Sequence, residues 1–131
     1  MRLWHKDLIS KLPREQLVAQ WRECSAIAGA IIKNGTPNHL LVNYVLDYPL
    51  DMFISYSELI RKEMTLRGYK TMDSVMNKIK SLKPNYKKYT YNEIYQEIHN
   101  EEYYKICLWN LREKYIRGGF SNDEALKLGF A

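Results

Sequence analysis

The sequence predicts an all-α fold in one compact domain that spans residues 1–131, and three observations indicate this class. The chain has 131 residues, 46% of them apolar and 13% aromatic, which is typical of a globular protein with a core. Apolar residues recur at the three- and four-residue spacing of helices. Only His39 to Asp47 is rich in β-branched and aromatic residues, and it has no second strand to pair with. We therefore expect three to four main helices, with the N-terminal segment folded back beside the first long helix.

Proline and glycine positions mark the first two helices. The first runs from Pro13 to Ile32 or Lys33, because proline is tolerated in the first turn and Asn34-Gly35 ends it. Residues 39–47 then form an extended or short helical connection. The second helix opens at Tyr48-Pro49 and closes at Gly68.

The remaining chain predicts two further helices and a terminal turn. A shorter third helix spans Thr71 to Leu82, and Pro84 stops it. The last long helix spans Tyr91 to Ile116 and ends at Gly118-Gly119. Ser121 to Leu128 forms a short helical turn, with Ser121 or Asn122 as its N-cap.

The overall charge permits a polyanionic partner but does not require one. The chain carries 20 basic and 15 acidic residues, a formal net charge of +5. No apolar run reaches the roughly 18 residues of a membrane span, and the N-terminus lacks a hydrophobic signal core. Cys24 and Cys107 lie on apolar helical stripes without metal-ligand spacing, which favours reduced core residues. We expect a cytoplasmic monomer without membrane contact.

The N-terminus itself is a candidate nucleophile. An α-amine titrates near about 8 and a lysine near about 10.4, so the terminal amine is the better nucleophile at neutral pH. The bulky Arg2 is expected to keep Met1 in place, so the nucleophile is the Met1 nitrogen. Such an amine can attack a sugar C1′ and form a Schiff base. If the N-terminus folds back beside the first helix, Arg2 and Arg22 will both lie close to the terminal amine.

Glu23 is the candidate acid or base. Its helical neighbours at three, four and seven residues carry no charge, so no cation on the same helix neutralises it. A partly desolvated carboxylate there would have a raised pKa, as general acid–base catalysis requires. An ordinary surface glutamate is the alternative. The uncharged neighbours are Gln16, Ala19, Gln20, Ala26, Ile27 and Ala30.

Basic side chains elsewhere suggest contacts with nucleic acid. Lysines and tyrosines alternate between Lys78 and Tyr91, and such side chains can neutralise phosphates and stack on bases. A solvated loop with its tyrosines packed inward is the alternative. Arg14 is a further phosphate candidate, whereas the cations at the end of the last helix are explained by the helix dipole. These cations are Arg112, Lys114 and Arg117.

The three histidines do not indicate a metal centre. His5, His39 and His99 are far apart in sequence, and none forms the close pair typical of zinc sites. We expect neither a metal nor another cofactor. His5 is close enough to the terminus to orient the amine or to contact phosphate.

Four segments together resemble a known family. They are Arg2 after the first residue, the Leu12-Pro13 helix start, the run from Gln16 to Glu23 with its Trp21-Arg22-Glu23 turn, and the Leu66 to Tyr69 helix end. Over roughly the first seventy residues the chain is similar to the pyrimidine-dimer DNA glycosylases of the phage endonuclease V type.

The resemblance implies a compact all-α enzyme that needs no cofactor and acts on double-stranded DNA containing a damaged or abasic nucleotide. Its terminal amine would attack the sugar, and β-elimination would then cleave the abasic site. The family's nucleophile falls on Met1, its arginines on Arg2 and Arg22, and its catalytic glutamate on Glu23. Among the other basic residues, we expect DNA contacts from His5, Arg14, Lys83, Lys87 and Lys88.

Departures from the family pattern leave two alternatives. Gln16 stands where the dimer-cleaving members have a histidine, Ala26 where they have an arginine, and Leu128 to Ala131 replace an aromatic, basic tail. These changes suggest a non-catalytic helical domain that binds nucleic acid or protein. A metal-assisted hydrolase built on His5, Glu23 and His99 is the less favoured alternative.

Overall fold

Helices make up the regular structure of the protein, which we describe from a computed structural model over residues 1–130; Ala131 lies outside the described residues. No strand occurs in that range, so the all-α class is confirmed. A 3₁₀ helix, Lys6–Lys11, precedes α1, and a second, Asn43–Asp47, lies between α1 and α2. The α-helices are α1 (Arg14–Asn34), α2 (Leu50–Leu66), α3 (Asp73–Lys80), α4 (Glu101–Ile116) and α5 (Asn122–Lys127).

The helix ends follow the predicted caps. Gly35 ends α1 with φ of 76°, and Gly68 follows α2 with φ of 82°, a backbone region that favours glycine. Ser121 caps α5, since its side chain accepts from the Glu124 N–H while the Glu124 side chain accepts from the Ser121 N–H. These three boundaries confirm the corresponding predictions.

The core forms where α1 packs against α2 and α3, and the N-terminal segment closes it from one side. Leu3 and Leu8 are fully buried, which confirms that this segment folds back beside α1. Cys24 and Cys107 are buried free thiols in the same core. Within residues 1–130, none of the helices combines the length and the apolar character needed to cross a membrane.

The last long helix starts later than predicted. The segment 91–100 forms successive turns, with Tyr95 at φ of 48°, and Asn100 caps α4 by accepting from the Tyr103 N–H. The Lys6 ammonium donates to the carbonyl oxygens of Tyr91, Asn92 and Ile94 at 2.7, 3.1 and 2.8 Å. A residue with a positive φ does not continue a right-handed helix, so Tyr95 interrupts any helix that starts at Tyr91. The prediction of a helix from Tyr91 is therefore wrong, and α4 begins at Glu101.

Candidate active site

Gln20 holds the N-terminal segment against α1. Its side chain is fully buried, and its Oε1 accepts from the Trp4 N–H at 2.7 Å. Its Nε2 donates to the Arg2 carbonyl oxygen and to Glu23 Oε2, each at 2.9 Å. One amide group therefore fixes the chain terminus and the carboxylate relative to each other.

Two tyrosines from other helices complete this attachment. The Tyr56 hydroxyl of α2 donates to the Trp4 carbonyl oxygen at 2.6 Å and also lies 2.9 Å from Gln20 Oε1. The Tyr103 hydroxyl of α4 donates to the Leu3 carbonyl oxygen at 2.6 Å. Because three helices hold the backbone of residues 2–4, Met1 is presented at the surface, with 44% of its area exposed.

Met1 and Glu23 face a common cleft of about 240 Å³, which we call the amine cleft. Burial raises the pKa of Glu23, while the positive charges of the N-terminus, Lys114 and Arg22 act in the opposite direction. This is the direction that its uncharged helical neighbours predict. The cleft is lined by Met1, Arg2, Trp4, Glu23, Leu41, Asn110 and Lys114.

A second cleft, of about 550 Å³, also has Glu23 in its lining, and we call it the arginine cleft. It shares Trp4, Glu23 and Lys114 with the amine cleft. The Arg14 guanidinium lies 5.2 Å from the ring centroid of Tyr69, which fixes its position at the cleft. The residues that line only this cleft are Arg14, Glu15, Gln16, Val18, Ala19 and Arg22.

Gln16 gives the floor of the arginine cleft an unused acceptor. Its Oε1 is buried without a hydrogen-bond partner, although the residue lines the cleft. Ala26, the other departure from the family pattern, lines neither cleft.

Two residues of α4 belong to the site although the sequence reasoning did not select them. Lys114 lines both clefts, and Asn110, one turn earlier, lines the amine cleft. Lys114 belongs to the basic group at the end of the last helix, whose position the helix dipole explains. Roughly ninety residues separate Lys114 from Glu23, so nothing in the local sequence indicates that the two are close in space. Membership of the basic group is the only feature of the sequence that points to Lys114.

His5 lies in the core and not in the pocket, so its predicted placement is corrected. Only 3% of its area is exposed, and its ring stacks on His99 with the centroids 5.0 Å apart. Its Nδ1 accepts from the Asp7 N–H at 3.1 Å and thereby caps the first 3₁₀ helix. His5 lines neither cleft, and its role is to stabilise the turn that follows the terminus.

The lysine and tyrosine segment is fastened along α2 and lines neither cleft. Lys83 Nζ lies 2.8 Å from Asp51 Oδ1, and the Lys87 N–H donates to Asp51 Oδ2 at 2.7 Å. These hydrogen bonds lower the pKa of Asp51. Tyr86 packs against the core, as the alternative interpretation of this segment required. A DNA contact by Lys83, Lys87 or Lys88 stays a prediction.

The metal-dependent alternative lacks a ligand set in the part of the chain that the structure describes. His5 and His99 are stacked in the interior, whereas Glu23 lines both clefts. Residues 1–130 contain no group of three or more histidine, cysteine, aspartate or glutamate side chains placed to hold a metal ion.

The fold and the two clefts define a small helical protein whose site combines a chain terminus, a carboxylate and several cations. A family model described as pyrimidine dimer DNA glycosylase matches residues 1–77, and the chain belongs to this family. Membership suggests DNA glycosylase function on damaged DNA. The matched range includes the terminus and all of α1 but not Asn110 or Lys114. No curated protein and no solved structure matches the chain.

Proposed function

We propose that the protein is a DNA glycosylase with abasic-site lyase activity, with the α-amine of Met1 as nucleophile and Glu23 as general acid and base. The observation that carries this proposal is that Met1 and Glu23 line the same solvent-open cleft. The α-amine is one of the few groups that is a competent nucleophile at neutral pH without a separate base. Family membership supports the same class of reaction.

Glu23 has the environment that the two proton transfers need. When the amine nitrogen bonds to C1′, the bond from C1′ to the base breaks, and the base leaves with the electron pair and a proton. The C1′–O4′ bond then opens as O4′ takes a proton and the nitrogen loses one, which leaves a protonated imine at C1′. This imine makes the C2′ proton acidic, and Glu23 removes that proton as the C3′–O bond breaks and the 3′ phosphate leaves. Hydrolysis then releases the amine. A carboxyl group with a pKa raised by burial suits an acid that later acts as a base.

The cations around the clefts are placed to hold the DNA backbone. Arg2 lines the amine cleft, Arg14 and Arg22 line the arginine cleft, and Lys114 lines both. Such side chains neutralise phosphates and can stabilise the charge of the leaving phosphate. We therefore assign the phosphate contacts nearest the reaction to these four residues and any outer contacts to Lys83, Lys87 and Lys88.

Borohydride trapping on double-stranded DNA with one abasic site tests the mechanism. Borohydride reduces the imine to a stable amine, so the wild-type protein should form a covalent adduct on the Met1 nitrogen. Acetylation of the terminus should abolish the adduct. Glu23→Gln should slow strand cleavage by about 10²- to 10⁴-fold, the usual contribution of general acid–base catalysis. The sites of attachment are read by mass spectrometry of peptides.

Glu102→Gln is the matched control, because Glu102 is exposed in the first turn of α4 and lines neither cleft. It should cleave at the wild-type rate. Glu23→Gln should fold normally, since burial already disfavours the charged carboxylate. DNA binding without any adduct from the unblocked protein would overturn the proposal and favour the non-catalytic alternative. Loss of activity to chelators, with the blocked terminus harmless, would favour the metal-dependent one.

A further inference from the structure

The helix α4 keeps a second apolar surface in solvent. Only two of its sixteen residues, Cys107 and Leu111, are buried. Ile106, Trp109 and Ile116 are instead 51%, 61% and 70% exposed. Exposed apolar area is unfavourable in water, and several large apolar side chains on one surface indicate an interaction site. The apolar residues of α4 therefore serve two surfaces, one in the core and one that faces outward.

Charged residues border the outward apolar surface, with opposite signs on its two sides. Residues seven apart lie nearly in line on an α-helix, because each residue advances by about 100°. Trp109 and Ile116 therefore mark a line along α4, and two cations lie on one side of it and two carboxylates on the other. Within residues 1–130, none of these four side chains forms an ion pair. The cations are Lys105 and Arg112, and the carboxylates are Glu102 and Glu113. We call these four residues, with Ile106, Trp109 and Ile116, the outer face of α4.

The charge pattern of the outer face selects a second copy of the chain as its partner. Two cations and two carboxylates leave the face without net charge, so a polyanion such as DNA gains little there. A second copy presents the same pattern, and most homo-oligomers are twofold dimers. A twofold axis parallel to α4 brings the basic side of one helix against the acidic side of the other, whereas antiparallel helices would bring like charges together.

A shallow groove beside the basic side of the outer face fits an apolar side chain of the second copy. Its volume is about 140 Å³, and Leu108 and Phe130 give it an apolar floor. Ile106 lies about 60° from Trp109 around the helix, on the acidic side. In a parallel pair, Ile106 of the second copy therefore meets this groove. The groove is lined by Lys105, Leu108, Trp109, Arg112 and Phe130.

We propose that the protein forms a parallel twofold dimer through the outer face of α4. Trp109 and Ile116 pack against the same residues of the second copy, and the charged sides pair across the axis. One helix face about 24 Å long is small for an obligate dimer, so the dimer is reversible, with a dissociation constant in roughly the micromolar range. Ile106, Trp109 and Ile116 line neither cleft, so this inference does not depend on the proposed function. A reversible dimer replaces the monomer that we expected from the sequence.

Sedimentation velocity of the full chain tests the dimer. Between about 1 µM and about 200 µM, wild type should pass from monomer to dimer. Trp109→Ala should raise the dissociation constant by about tenfold or more, because a central tryptophan contributes strongly to an interface. Leu66→Ala is the matched control, since Leu66 is 72% exposed on α2, and it should dimerise like wild type. A wild-type protein that stays monomeric, or an unchanged dissociation constant in Trp109→Ala, overturns the proposal.

Exchanging charges tests whether the partner is a second copy. Lys105→Glu/Arg112→Glu makes both sides of the outer face acidic, and Glu102→Lys/Glu113→Lys makes both sides basic. Each variant alone should stay monomeric, because like charges then meet, and an equal mixture of the two should form dimers. All four positions are exposed, so both variants should fold. A mixture that stays monomeric overturns the proposal.

A cysteine cross-link tests the parallel orientation. A twofold axis parallel to α4 places the two copies of residue 116 opposite each other, so Ile116→Cys should form a disulfide-linked dimer with oxidised glutathione as the oxidant. The native thiols of Cys24 and Cys107 are buried and should not react. Ile116→Cys/Trp109→Ala measures cross-linking by random collision and should react much more slowly. Equal rates in the two variants overturn the parallel dimer.

Discussion

At the scale of single residues, the candidate site depends on Gln20, a side chain with no charge. Both polar atoms of its amide are used: Oε1 accepts from the Trp4 N–H, and Nε2 donates to the Arg2 carbonyl and to Glu23. These partners determine the orientation of the amide. The Trp4 N–H needs the oxygen as its acceptor, and the Arg2 carbonyl and the Glu23 carboxylate need the NH₂ group as their donor. The relative placement of terminus and carboxylate therefore follows from hydrogen bonding by a buried residue of α1.

Replacing Gln20 by leucine should separate stability from catalysis. The buried Trp4 N–H loses its acceptor, so we expect the free energy of unfolding in urea to fall by about 1–3 kcal/mol. The terminus also loses its attachment at Arg2, so trapping at saturating abasic DNA should slow more than DNA affinity weakens. Gln96→Leu, at an exposed position, is the control. If the folded fraction of Gln20→Leu reacts at the wild-type rate, Gln20 does not position the amine.

At the scale of elements, Lys6 joins the N-terminal segment to the turns that precede α4. The residue is largely buried, and its ammonium donates to three carbonyl oxygens in residues 91–94, which form turns. Burial lowers the pKa of this lysine, and the nearby Asp7 opposes the shift. The Lys6 N–H also donates to His99 Nδ1 at 2.9 Å. The N-terminal segment and the start of α4 therefore stabilise each other.

Lys6→Met should loosen this junction. Methionine keeps the apolar stem but has no donors, so the carbonyl oxygens of Tyr91, Asn92 and Ile94 lose a partner. We expect the free energy of unfolding to fall by about 1–3 kcal/mol. Amide hydrogen exchange should accelerate at Ile98 and His99, whose N–H groups bond to the Tyr95 carbonyl. Lys62→Met, at an exposed position of α2, should change neither quantity; equal behaviour of the two variants would contradict this role.

At the scale of the whole molecule, the features that could be predicted from the sequence are those that depend only on residues close together in the chain. The ends of α1 and α2 were predictable because Gly35 and Gly68 take a backbone conformation that other residues avoid. The charge-free surroundings of Glu23 were predictable because helical spacing alone determines them. Both predictions need only residues within one or two turns.

Features that depend on distant residues were not predictable in this way. The turns before α4 bond to Lys6, which is more than eighty residues earlier in the chain. Lys114 lines both clefts because the end of α4 lies close to the terminus, and no local spacing encodes that proximity. His5 was misplaced for the same reason, since its stacking partner His99 comes from the other end of the fold. The exposure of Leu40 likewise depends on distant parts of the chain, since no described residue packs over its side chain.

The histidine pair joins the two ends of the fold and should make the protein sensitive to acid. His99 is buried, and desolvation lowers its pKa to about 3, with His5 and Lys6 adding to the effect; burial lowers the pKa of His5 as well. Because an unfolded histidine titrates near about 6.5, the unfolded chain binds more protons below that pH. The contribution of His99 to stability is therefore complete above about pH 6.5 and is lost progressively as the pH falls toward about 3.

Urea unfolding of wild type and His99→Asn at pH 7 and pH 4.5 tests this linkage. Asparagine can still accept from the Lys6 N–H but does not titrate, so the variant should be less stable than wild type at pH 7, where ring packing is lost. Between the two pH values wild type should lose up to about 2–3 kcal/mol more than the variant, which is the contribution of His99. Glu23 cannot produce this difference, because burial raises its pKa and makes the folded state more stable as the pH falls. Equal losses in both proteins would show that His99 is not the group that titrates.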